Sequence, residues 1–171
     1  MQTFLTRSVV GIALTGGLLA FNGMAAEAAT LSEQVQGTSW HLVSLTITLP
    51  NGSQVHPSGS NPTGYTIFDR SGHFITVTEN PDVPKFASDS PLKATDAEQS
   101  AAWQGGRVDF GTYTVDEKSH MLIMHVEGAD FPNWVGTDLH NVTKLTGNRM
   151  TWSKEPGSDK IPVVLIWERL P

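Results

Sequence analysis

From Leu31 onward the chain is written in short segments with the period-two rhythm of β-strands, each closed by a cluster of turn-forming residues, and one stretch breaks the rhythm. Residues 40–49 are dense in aromatic, β-branched and aliphatic side chains, and Pro50-Asn51-Gly52-Ser53 then offers a turn in which Asn-Gly readily takes positive φ. Residues 65–68 and 73–79 flank Asp69-Arg70-Ser71-Gly72 and predict a second hairpin; Ile75 and Val77 share one face of its second strand, Phe74, Thr76 and Thr78 the other. Further strands are predicted over 107–114, 120–127, 139–145, 149–153 and 163–170, with turns at 116–119 and 146–148. The exception is 95–104. There Thr95 and Glu98 form a capping-box pattern, Ala97, Ala101 and Ala102 favour helix, and Gly105-Gly106 ends it.

Eight consecutive strands joined mostly by short connections predict an all-β fold, an eight-stranded antiparallel up-and-down β-barrel with one short helix. Closure removes exposed sheet edges. A two-sheet sandwich is the competing architecture, but it usually needs Greek-key crossings that sequential hairpins do not suggest. Residues 80–93, with three prolines, read as a long loop of the kind that often carries function.

The 171 residues fit one domain, and their composition excludes several classes of partner. There is no cysteine, hence no disulfide framework, thiol nucleophile or lipid-modified cysteine anchor. A net charge of −6 without a Lys/Arg cluster argues against nucleic acid and anionic membrane surfaces. The N-terminus reads separately. Arg7 precedes a mostly apolar run over 8–21, shorter than the ~20 residues a membrane-spanning helix needs, and Ala26-Glu27-Ala28 supplies small residues for cleavage. Residues 1–28 are therefore expected to be a signal peptide and 29–171 the barrel domain, periplasmic or secreted, with no stable membrane insertion after cleavage.

Trp40-His41-Leu42-Val43-Ser44, Asn61-Pro62 with Gly64-Tyr65, Phe86-Ala87-Ser88, Ala94-Thr95-Asp96, Gly111 with Tyr113, His125 with Glu127-Gly128, Phe131-Pro132-Asn133-Trp134 with Gly136, and Trp167-Glu168-Arg169 stand in an order and spacing that resembles the lipocalin-like domain family of bacteria and fungi. The resemblance implies a small calycin-type barrel with an interior cavity. It carries no settled activity, and some members resemble proteins encoded beside natural-product enzymes. Lipocalins usually carry Gly-x-Trp at the first strand, whereas Gly37-Thr38-Ser39-Trp40 has one residue more, which a bulge where the chain enters the barrel would absorb. The lipocalin pattern also implies that Arg169 of the last strand crosses Trp40, a structural cation–π contact.

His125 and Glu127 are the candidate catalytic residues. They lie two apart on one strand and share a face with Met121 and Ile123. If that face lines the cavity, an imidazole and a carboxylate converge among apolar groups, an arrangement suited to ligand anchoring or proton transfer. If Leu122, Met124 and Val126 take the interior instead, both are outside, and apolar count favours this second register. Tyr65, His125, Glu127, Asn133 and Trp134 are the candidate ligand-binding residues, the last two on an aromatic loop after the strand. The six histidines show no metal-ligand spacing, and no phosphate or dinucleotide loop is present, so no metal or cofactor is expected. The favoured function is binding of a small, largely apolar molecule in the barrel. The alternatives are a cofactor-independent isomerase, cyclase or hydratase using His125 and Glu127, and a structural barrel without ligand; the oligomeric state is not encoded in any readable feature.

Overall fold

A computed structural model describes residues 29–154 and 161–171. The expected signal segment 1–28 and its cleavage site lie outside the described residues. Helix α1 (Leu31–Val35) leads into strand β1 (Thr38–Thr48), followed by β2 (Gln54–Val55), β3 (Thr63–Phe68), β4 (His73–Glu79), helix α2 (Asp96–Gly105), β5 (Gly106–Asp116), β6 (Met121–Ala129), β7 (Asp138–Thr146), β8 (Arg149–Lys154) and β9 (Val163–Arg169). Successive strands from β3 to β9 pair antiparallel with their neighbours, β1 pairs with β3, and β9 returns to pair with β1, closing an eight-stranded barrel. The two-residue β2 is a hairpin extension that pairs with the end of β1 alone.

The helix expected over 95–104 is α2, with Thr95 and Glu98 forming the capping box reciprocally. Helix α1 corrects the reading of strand rhythm from Leu31. Thr30 caps it, Glu33 closes a second capping box, and Leu31 and Val35, four apart, are both buried in the core. The Glu117 carboxylate in the β5–β6 turn accepts from the backbone N–H groups of Leu31 and Ser32 at 2.8 Å, satisfying amides that a helix start leaves without partners. A second correction concerns the additional first-strand residue. Gly37 takes φ 71° where the chain turns out of α1, but the bulge in the β1–β9 pairing falls later, between Leu42 and Ser44.

Helix α1 covers one end of the barrel, and beneath it the interior is filled. Trp40, Phe68, Trp152 and Trp167 are all buried, with edge-on contacts from Phe68 to Tyr113 at 5.0 Å and to Trp152 at 6.0 Å, and Trp152 against Trp167 at 5.1 Å. Arg169 lies over Trp40 at 4.4 Å and donates to the Gln34 carbonyl at 2.6 Å, so one guanidinium joins the last strand, the first strand and α1. The opposite end is not filled.

Candidate functional site

A cavity of about 210 Å³ occupies that opposite end. Its apolar wall comes from Leu45, Ile47, Met124, Leu139, Trp152 and Leu165, the inward residues of five strands. The C-terminal turn of α2, through Gln104 and Gly105, and Trp134 border it as well. Trp134 reaches it from a short 3-10 turn, Pro132–Trp134, packed edge-on against Phe131 at 5.5 Å. Val83 of the long loop stands so close to Gly105 that a Cβ there would strike it, which fits the loop and the helix end tightly together beside the mouth.

One region of this cavity is polar. Asp109 on β5 is 5% exposed and lines the cavity, directly opposite Thr76 on β4. Among the described residues no group donates a hydrogen bond to its carboxyl, and burial pushes that carboxyl up to about 6; the nearby Lys154 and Arg107 charges pull it back and Asp130 adds to the rise. Lys154, at the end of β8, faces the same space with its Nζ 4.9 Å from the Trp134 ring centre. Loss of water lowers the Lys154 ammonium pKa, partly offset by the Asp109 charge. Arg107 is engaged elsewhere. It donates to Asp130 at 3.3 Å and sits between the rings of Trp103 and Trp134, at 5.3 and 5.5 Å. Asn141, opposite Lys154 across β7 and β8, is 1% exposed; its amide nitrogen meets the Met124 sulfur at 3.2 Å and its Oδ1 has no partner among the described residues. A buried carbonyl oxygen left in that state is costly unless something else donates to it.

The structure assigns the other register to β6. Leu122, Met124 and Val126 point inward, so His125 and Glu127 are exposed on the outer face, a correction to the cavity placement that would have made them catalytic. The physical reason is the burial of three apolar side chains in place of an imidazole and a carboxylate. His125 instead meets Asp138 across β6 and β7, Nδ1 to Oδ1 at 2.8 Å, with both side chains about half exposed. Tyr65 is likewise outside, 52% exposed, because Gly64, Thr66 and Phe68 take the inner face of β3. Asn133 is exposed. Of the five candidate ligand-binding residues, Trp134 alone lines the cavity.

Asp109, Asn141 and Lys154 escaped the sequence reading. In β5, Arg107, Asp109, Gly111 and Tyr113 alternate with Val108 and Phe110, and apolar count would send the latter pair inward. Both are exposed, at 37% and 47%. The usable signal was the neighbouring strand, since Thr76 and Thr78 face inward on β4 and their cross-strand partners are Asp109 and Arg107. Among the described residues no group of three His, Asp or Glu side chains converges as metal ligands.

The family described as the lipocalin-like domain matches residues 37–170, a span that begins where the chain leaves α1 and takes in every barrel strand. No curated protein and no solved structure matches the chain at a significant level.

Proposed function

The chain belongs to the lipocalin-like domain family, and on that premise we propose that its barrel binds a small, largely apolar molecule in the cavity beneath Trp134 and α2. The observation that carries the reading is the unfilled end of the barrel, about 210 Å³ walled mainly by aliphatic and tryptophan side chains. An apolar cavity of about 150 Å³ is enough to hold benzene, so the ligand is on the scale of one substituted ring or a short branched chain. Specificity at such a site comes from a few placed polar groups, and these are present as Asp109, Asn141 and Lys154. An acid–base enzyme built on His125 and Glu127 has less support, because neither side chain reaches enclosed space.

Toluene is a direct probe of this reading, with binding followed by the fluorescence of Trp134 and Trp152. A saturable change is expected in the wild-type protein and a much weaker one in Leu139→Trp, which fills the cavity. No saturable change in the wild type, with toluene or with para-substituted toluenes, would refute the reading. Native and denaturing mass measurements on protein taken from its natural compartment complete the test, a released small molecule being the expected result.

The proposal extends to export. Its support is the sequence over 1–28, with an apolar run of signal-peptide length followed by Ala26-Glu27-Ala28. N-terminal sequencing of the protein from periplasmic and culture fractions should find a chain beginning at residue 29, and an intact Met1 in those fractions would overturn it.

A further inference from the structure

The wall of the cavity identifies a ligand class more closely than its size does. Three charged side chains, Arg107, Asp109 and Lys154, border its polar region, and Arg107 is paired to Asp130 behind the wall. Asp109 and Lys154 remain. Each acts on the other's charge and both border the cavity, yet no ion pair joins them, so the open space of the cavity faces an acceptor and a donor. Asn141 adds a second acceptor, its Oδ1 buried and without a donor.

A guest group in that space meets opposite charges at once. A carboxylate on the ligand gains from Lys154 but is forced against Asp109. An ammonium gains from Asp109 but is forced against Lys154, with Arg107 nearby. In a weakly screened interior either repulsion is larger than it would be in water. A neutral hydroxyl avoids both, because it donates one hydrogen and accepts through two lone pairs. Unlike either ion, it can donate to Asp109 or to Asn141 Oδ1 while its oxygen accepts from Lys154, and it does so with a single heavy atom. The rest of the wall suits a flat apolar body, since the Trp134 and Trp152 rings both border it.

We infer that Asp109, Asn141 and Lys154 form a recognition site for the hydroxyl of a neutral, single-ring, phenol-type ligand whose apolar body lies against Trp134 and Trp152. The inference rests on the ligand-binding reading above and deepens it. Asp109 and Asn141 are the acceptors, Lys154 is the donor, and the unfilled acceptor on Asn141 is satisfied when the ligand enters.

Four probes sharing one tolyl ring separate the possibilities: toluene, p-cresol, p-toluate and 4-methylbenzylammonium, titrated at pH 7.5 against wild-type protein. p-Cresol is expected to bind about tenfold or more tightly than toluene, the gain of a hydrogen bond to a charged group, with neither ion binding better than toluene. In Asp109→Leu the preference for p-cresol should collapse to twofold or less while toluene binding persists. Asp109→Asn, isosteric with the wild type, provides a second variant should the first fail to fold, and severalfold loss of p-cresol affinity relative to toluene is expected. Toluene binding without a p-cresol preference, tighter binding of either ion, or an unchanged preference in Asp109→Asn would overturn the hydroxyl site and leave the ligand-binding reading standing. Binding of none of the four would overturn both.

Discussion

Asp109 titrates near 6 because its carboxylate has lost water without gaining a hydrogen bond, well above its ordinary 3.8. A carboxyl raised on folding binds its proton more tightly in the native state, so its stabilising contribution is complete below about pH 4 and is lost as pH rises through about 6. Asp109→Asn removes that dependence. The stability of the variant relative to wild type should therefore rise between pH 4 and pH 7.5, by up to about 3 kcal/mol, as measured by urea unfolding at the two pH values. An unchanged difference would mean that Asp109 is solvated in the folded protein. Arg169 is the other residue with consequences beyond its own strand. Arg169→Ala removes the stacking on Trp40 and the bond to the Gln34 carbonyl, and is expected to cost about 1–3 kcal/mol. Arg169→Lys should recover only part of this, since an ammonium lacks the planar fork that stacks and donates together.

Two local devices shape the elements around the cavity, and the first is visible in the sequence. Helix α2 begins at the Thr95 and Glu98 capping box, and the Glu98 carboxylate also accepts from the Ala87 backbone N–H at 2.7 Å, tying the long loop to the helix start. These bonds hold the Glu98 carboxyl below its usual range. Thr95→Ala should cost about 1 kcal/mol and speed amide exchange over 96–105, which hydrogen-exchange mass measurements would register. In the sheet, β5 and β6 slip register between Phe110 and Gly111, where the strands come so close that a Cβ on Gly111 would run into the His125 carbonyl. Gly111→Ala is expected to destabilise by about 1–3 kcal/mol, through displacement of backbone that has no room to yield. An effect below 0.5 kcal/mol, measured by thermal unfolding, would show the bulge to be pliable.

Over the whole molecule, the barrel divides into a packed end beneath α1 and a hollow end beneath α2 and Trp134. A ligand held in the hollow end binds the folded state alone, so toluene at about 100 times its Kd should stabilise the protein by about 2.7 kcal/mol and raise Tm by several degrees. The same addition to Leu139→Trp should leave Tm almost unmoved. The barrel also carries apolar side chains outside. Tyr65, Ile67, Ile75, Val108 and Phe110 are exposed on the outer face of β3, β4 and β5, with Ile67 opposite Ile75 and Ile75 opposite Phe110.

That outer face explains where the sequence was legible and where it was not. Strand order, hairpin positions, the α2 capping box and the Trp40–Arg169 contact all follow from short-range signals: period-two patterning, turn residues and the family's spacing. Those signals act within a few residues, or along a meander whose connections are short, and they specify a closed antiparallel barrel without reference to its interior. Which face of a strand looks inward is a different matter. Where one side carried more apolar residues, as with Leu122, Met124 and Val126 against Met121 and Ile123, the side could be inferred; on β5, Val108 and Phe110 mimic a core face while Asp109 occupies the real one. That choice is made by register with β4 and by closure of the ring, since a strand in a barrel must present the same face as its neighbours whatever its own composition. The sequence by itself thus determined the barrel and the strands that build it. Tertiary structure alone decided that its hollow end holds Asp109, Asn141 and Lys154, because three residues far apart in the chain become one site only when the sheet curls round and shuts water out from between them.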